Sequence, residues 1–361
     1  MFPLIAAKLG YCLNWPNLDK AQGSPKPSAP HLSSVRASSV RVSRTFGLIL
    51  VVVVGLAQVP VRSESKPASE SAAVRTEMHN VLYHFTDEIT VHIRDLRGLL
   101  IPDNPEGPVI FDDKNSFLLR IDAAEIAMGT DALSRVLNQQ VFGGSDAPLK
   151  QLAITAHGNI LMVKGKLHSK GDLPFASEGT LSATDDGEIR IHTQKIKAAH
   201  LPVKGIMDLL GVKIANLIST KKVRGIRVDG DDLLIDVQRI LPPPRIEGRV
   251  TSVRIEGTQL VQVFGALPKD GDRTAKLADA HGNYMAYRGA RLRFNKMTMS
   301  DSDMILIDMD PKDPFDFYLD HYKDQLVAGY SKTTPEYGLR VYMPDFNKLR
   351  PAQKSSGTIR R

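Results

Sequence analysis

Residues 148–197 read PLKQLAITAHGNILMVKGKLHSKGDLPFASEGTLSATDDGEIRIHTQKIK, and the period of this stretch decides the fold class. Leu152, Ile154 and Ala156 alternate with polar neighbours, Gly158-Asn159 turns the chain, and Ile160 to Leu167 returns. Alternation with a period of two marks a half-buried strand. Phe175 to Thr184 and Glu188 to Lys197 flank Asp185-Asp186-Gly187, and an Asp-Gly step supplies the positive φ that a tight hairpin requires. Strands joined so closely pair antiparallel.

The same texture continues downstream. After Pro202, a residue suited to a first helical turn, the residues Ile206, Leu209, Leu210, Ile214, Leu217 and Ile218 form a wide apolar stripe and predict a helix. Val223 to Val228 and Leu233 to Val237 flank Asp229-Gly230; Pro242-Pro243-Pro244 breaks the pattern; Arg249 to Ile255 and Gln259 to Phe264 flank Glu256-Gly257. Upstream, Thr130 is expected to cap a helix whose stripe is Leu133, Val136, Leu137 and Val141, with Gly143-Gly144 as its stop. Phe117 to Ile126 reads as a strand, Asp103 to Pro108 as a loop, and Val81 to Ile101 as one strand carrying the alternation Ile89, Val91, Ile93.

A doubly wound parallel sheet needs a helix between successive strands, and these hairpins have none. The expected class is α+β: a curved antiparallel sheet of β-hairpins wrapped around two amphipathic helices, over residues 76–276. Residues 277–349 differ in texture, with strands expected at Tyr284 to Arg288, Leu292 to Met299, Met304 to Met309 and Leu339 to Met343, and a helix over Phe315 to Ala328 capped by Asp313. Residues 350–361 are a polar tail.

The leader sets the expected compartment. Phe46 to Leu56 is an uncharged apolar run behind Arg36, Arg41 and Arg44, and Gly55-Leu56-Ala57 fits signal cleavage after Ala57. The run is short for a membrane span unless it extends to Val61, so both a cleaved signal and a retained N-terminal anchor stand. Residues 1–34 lack periodicity, and the natural start is expected near Val35. Residues 62–75 read as a polar linker. Export places the chain in the periplasm or on the outer face of the inner membrane.

The formal charge of +7 belongs largely to this leader, which holds six basic residues and one acidic residue up to Ala57; the remainder has 41 basic against 39 acidic residues. So neutral a body presents no electrostatic footprint for nucleic acid. The single cysteine, Cys12, is in the leader, so the body has neither a disulfide nor a thiolate nucleophile. No Gly-x-Ser-x-Gly, His-Glu-x-x-His, P-loop or Gly-x-Gly-x-x-Gly motif occurs, and no enzyme activity, cofactor or metal is expected. His84 and His92 would share a strand face only on an unbroken strand. Asp301, Asp303, Asp308, Asp310 and Asp313 form the densest acidic cluster, but it lacks the Gly and distal Glu of a calcium loop.

Leu167 to Gly179 with its Leu-Pro-Phe step, Leu201-Pro202 followed by Met207-Asp208-Leu209-Leu210-Gly211, Gly225-Ile226-Arg227-Val228 with Asp232 to Asp236, Leu241-Pro242-Pro243-Pro244 and Gly248-Arg249-Val250 together form a pattern. Over Phe117 to Phe264 this pattern resembles the LmeA-like phospholipid-binding family of bacterial envelope proteins, itself similar to the tubular lipid-binding superfamily. The resemblance implies an exported envelope protein that holds a phospholipid-like molecule in an apolar groove, for carriage or shielding, and meets a membrane surface. The candidate groove lining is Leu133, Val136, Leu137, Val141, Ile206, Leu209, Leu210, Ile214, Leu217 and Ile218. Lys195, Lys197, Lys221, Lys222 and Arg224 are candidates to meet anionic head groups. Two other readings stay open: a structural or assembly component with an envelope protein partner and no ligand, and an envelope hydrolase using the acidic cluster near Asp303 and Asp308. The family begins with a helix where this chain has a strand, and residues 277–346 have no counterpart in it.

Overall fold

The computed structural model describes residues 72–168, 172–198, 223–266 and 282–349, all within one compact unit spanning Ser63–Arg361. Strands β1 (Val74–His84) and β2 (Thr90–Pro102) form a hairpin, where the sequence reading had one strand from Val81 to Ile101. The break is local chemistry: the Thr86 hydroxyl accepts from the Glu88 and Ile89 backbone N–H groups, closing a turn over Thr86-Asp87-Glu88. After β3 (Val109–Ile110), β4 (Phe117–Gly129) pairs with β2 and leads into helix α1 (Thr130–Val136). Gly129, not Thr130, occupies the N-cap and no side chain caps it; Thr130 is the first helical residue. The helix runs on as a π-helical turn, Leu137–Val141.

The hairpin region forms as read. Strands β5 (Leu149–His157), β6 (Ile160–His168), β7 (Asp172–Ala183) and β8 (Ile189–Ala198) pair in sequence. Gly187 takes φ +86° in the Asp-Gly turn. Strands β9 (Ile226–Asp229) and β10 (Asp232–Ile235) complete a six-stranded antiparallel sheet, β5-β6-β7-β8-β10-β9. The strand ends earlier than Val237 because Asp236 accepts from the Gln238 N–H and caps a one-turn helix, α2 (Val237–Ile240).

The second sheet is larger and takes in both ends of the described chain. It contains β11 (Arg245–Glu247), the hairpin β12 (Val250–Glu256) and β13 (Gln259–Phe264), then β14 (Tyr284–Arg288), β17 (Asp303–Asp308), β18 (Phe315–Tyr318), β19 (Tyr330–Thr333) and β20 (Leu339–Met343). Its order is β12-β13-β4-β2-β1-β14-β17-β20-β19, with β11 parallel to β4 and β18 parallel to β1. Leu292 to Met299 is not one strand but a hairpin, β15 (Leu292–Phe294) and β16 (Met297–Met299), turning through Asn295 at φ +54° and joined to β3.

The helix expected over Phe315 to Ala328 is also corrected. It is strand β18, a 3-10 turn (Leu319–His321) and helix α3 (Tyr322–Ala328). Residues 315–318 are buried on both faces, and a fully buried aromatic run suits a central strand better than an amphipathic helix. The architecture is therefore predominantly β, with antiparallel and mixed sheets, and α+β in the broad sense. The second amphipathic helix expected after Pro202 lies outside the described residues.

One device shapes the inner face of the large sheet. Inward positions run Val74, Thr76, Met78 and then Val81, Tyr83 on β1; Val91, Ile93 and then Leu96, Gly98, Leu100 on β2; Phe117, Leu119, Ile121 and then Ala124, Ile126, Met128 on β4. Each strand changes parity once, at Asn80 (φ +51°), at Arg94 and at Asp122. An extra residue in a strand reverses which side chains face inward and bends the strand. Set side by side in three adjacent strands, these irregularities keep both halves of the face apolar. On the outer face Arg94 bonds Glu125 and Glu256 at 2.6 Å each, and Arg254 joins the same two carboxylates.

Candidate functional site: a series of apolar cavities

Three cavities follow one another through the described residues. The first lies against the inner face of the large sheet, between β1, β2, β4 and β13 on one side and α2 with the Leu241–Ile246 segment on the other; its empty volume is about 810 Å³ including its mouth. The third, about 410 Å³, lies under α1 and α2 and is lined by Leu133, Leu181, Ile189, Ile235 and Leu260 among others. These two share Met128, Val237, Leu241 and Gln262 in their walls. The second, about 1010 Å³, lies on the six-stranded sheet between Leu137, Phe142, Leu152 and Phe175, and shares Ile191 with the third.

Strand geometry explains why neighbouring cavities share walls. On β13, Leu260, Gln262 and Phe264 point to one face because side chains alternate. Leu260 reaches the third cavity, Gln262 both, and Phe264 the first. On β4, Ile126 lines the first cavity and Met128 both. Beneath the first cavity an aromatic cluster holds the floor: Phe111 meets Tyr287, Phe294, Phe317 and Tyr322 edge-on at centroid distances of 5.3–6.2 Å.

The candidate residues from the first helical stripe divide. Leu133 lines the third cavity and Leu137 the second. Val136 is fully buried in the core, and Val141 packs against it. Ile206, Leu209, Leu210, Ile214, Leu217 and Ile218 lie outside the described residues. Most of the first cavity's wall was not singled out from sequence. Its signal was present in the alternation of Val91 with Ile93 and of Phe117, Leu119 and Ile121, but nothing local tells a lining residue from a filled core.

No protein-family model matches the chain, and no curated protein or solved structure matches it.

Of the polar residues singled out from sequence, His92, Asp308, Asp310 and Asp313 come together apart from the cavities, while Asp303 lies at the other end of β17. His92 Nε2 meets Asn80 Oδ1 at 2.7 Å, the Asn80 amide donates to Asn283 Oδ1 at 2.7 Å, and the Asn283 amide donates to Asp308 at 2.8 Å. Burial pushes Asp308 up to about 6, against the opposing pull of the Asn283 hydrogen bond. Burial also raises Asp345, while its hydrogen bond from Lys348 pulls the other way. Lys348 lies 2.7 Å from Asp345, 2.9 Å from Asp313 and 3.0 Å from Asp310. Asp313 is thus an ion-pair partner, and its expected role as a helix cap falls with the helix. Asp303 meets Arg340 at 3.1 Å. With cations beside these carboxylates, no set of three or more metal-ligating side chains converges among the described residues.

His84 and His92 sit on opposite strands of the β1–β2 hairpin. His84 Nε2 lies 2.6 Å from Asp316 and its Nδ1 3.2 Å from the Thr90 hydroxyl. Hydroxyl, imidazole and carboxylate stand in relay order, yet Tyr318 stacks on the ring at 5.2 Å and Phe346 meets it edge-on at 5.9 Å. None of the three residues lines any of the three cavities. Of the basic residues considered for head groups, Lys195 is paired with Glu178 at 3.2 Å.

Proposed function

We propose that the protein binds a phospholipid-like molecule in its apolar interior and carries or shields it in the cell envelope, by reversible burial and with no covalent step. The observation that carries this reading is the run of three cavities whose walls share Met128, Val237, Leu241, Gln262 and Ile191. Each methylene left in water would cost about 0.8 kcal/mol; along such a wall an acyl chain stays out of water, so its transfer between a membrane and the protein is close to balanced. The finer fold belongs to the same proposal: the hairpins β5–β8 wrap around two amphipathic helices, as in the LmeA-like family, and the second cavity is the groove between. The apolar run from Phe46 to Leu56 supports export, as a cleaved signal or an anchor.

The test is native mass spectrometry of the full chain produced with its leader in a bacterial host. Adducts of phospholipid mass are expected. They should be lost when Ile126, a partly buried residue of the first cavity's wall, is changed to Trp in a variant that keeps its circular dichroism spectrum. A bare polypeptide mass after incubation with phospholipid vesicles would refute lipid binding. A second reading, an assembly component with a protein partner, is favoured by edge strand β19, exposed at all four residues, beside the 93% exposed Tyr337. A stable partner in a membrane pull-down from cells is its expected sign.

A further inference from the structure

We propose that Gln262 reads the polar link of the bound lipid, its side-chain amide donating a hydrogen bond to the carbonyl oxygen of an ester-linked acyl chain that threads from the first cavity into the third. This rests on the lipid-binding reading above.

Gln262 is 6% exposed and sits between Leu260 and Phe264 on the inward face of β13. The strand pattern calls for an apolar residue there. Its side-chain amide borders the junction of two cavities. A polar side chain on so apolar a wall departs from the strand's pattern, and departures from a local rule of this kind concentrate at functional sites. In the third cavity it is the one polar side chain among the described lining residues; in the first, only Tyr83 and Tyr287 join it.

The chemistry of the walls selects the ligand. Space on both sides of Gln262 is apolar, so the group it meets must be a short polar link flanked by hydrocarbon. No cationic side chain is among the described lining residues of either cavity. A free fatty-acid carboxylate would therefore lose its water without gaining a counter-charge. An ester carbonyl is uncharged and needs one donor, which the Gln262 Nε2 group supplies.

The experiment uses the full chain, stripped of lipid and offered an equimolar mixture of a palmitoyl-oleoyl phosphatidylglycerol and its diether analogue with the same chains and head group. Native mass spectrometry reads the retained ratio. A neutral hydrogen bond corresponds to roughly a fivefold preference, so the wild type should retain the ester about fivefold over the ether. Gln262→Met should lose the preference, its ester load falling about fivefold to match its ether load, and palmitate should not displace the ester lipid. An equal ester and ether load on the wild type overturns the assignment while leaving lipid binding intact, as does a Gln262→Met variant that keeps the preference. Retention of neither lipid overturns both readings. Should the variant fail to fold, a carbonyl-13C ester bound to the wild type serves instead. Its infrared stretch should lie below that in an alkane, and an unshifted band overturns the assignment.

Discussion

Gly98 offers the sharpest test of how the large sheet is built. It occupies an inward position of β2, opposite Ile121 and next to the step at Asp122 where β4 changes parity. A Cβ built at residue 98 falls 2.1 Å from the Arg120 carbonyl oxygen and 3.3 Å from the Ile121 Cα. Both are backbone atoms, so no side chain can rotate away. Relief requires β2 and β4 to separate by about 1 Å at the pairs Gly98–Ile121 and Leu99–Arg120. Overpacking of this kind costs about 1–3 kcal/mol, and one or two weakened ladder hydrogen bonds add about 1 kcal/mol each. The lower chain entropy of alanine returns about 0.5–1 kcal/mol. Gly98→Ala should therefore destabilise the protein by about 2–4 kcal/mol in urea titrations followed by circular dichroism. Gly144→Ala is the matched control: nothing lies within 4 Å of its built Cβ, and its stability should stay within about 1 kcal/mol of wild type. A Gly98→Ala variant within 1 kcal/mol of wild type would show that β2 and β4 do not approach as described.

Other expectations are more direct. The folded-state pKa of Asp308 lies above its ordinary value, so stability from this group is present below pH 4 and is lost as pH rises through about 6. Asp308→Asn should gain on wild type by about 2 kcal/mol between pH 4 and pH 7.5; a difference that stays flat with pH in denaturant titrations would contradict this. Phe111→Ala removes a ring that meets four others and should cost about 3–5 kcal/mol, read as a fall in the urea midpoint. Asn80 holds φ +51° and two side-chain hydrogen bonds, so Asn80→Ala should cost about 2 kcal/mol, whereas Asn80→Gly should restore part of that loss.

Much of the fold was legible because its signals are local. The hairpins of residues 148–197 follow from alternation plus Gly158 and Gly187, whose positive φ values are the ones such turns demand. The same holds for Gly257 between β12 and β13. The errors fall where a residue's environment comes from distant chain. Phe315 to Tyr318 carries aromatic residues that fit either period; pairing with Val81 to His84, more than two hundred residues away, makes it a strand. The parallel pairs of β11 with β4 and β17 with β20 have no sequence mark at all.

By itself the sequence determined a hairpin-rich α+β body without thiol chemistry, because period, turn residues and composition are properties of neighbours along the chain. It also contained the irregular positions Asn80, Arg94 and Asp122 without revealing them, since a parity change shows only against a partner strand. Tertiary structure alone decided that β14, β17, β18, β19 and β20 join β1 in one sheet. It alone set Leu133 and Leu137 on cavity walls while sealing Val136 in the core. It also left the Gln262 amide facing a junction of two apolar spaces. Whether an apolar side chain fills a core or lines a void depends on the volume its neighbours leave, and those neighbours come from elements that meet only when the chain has folded.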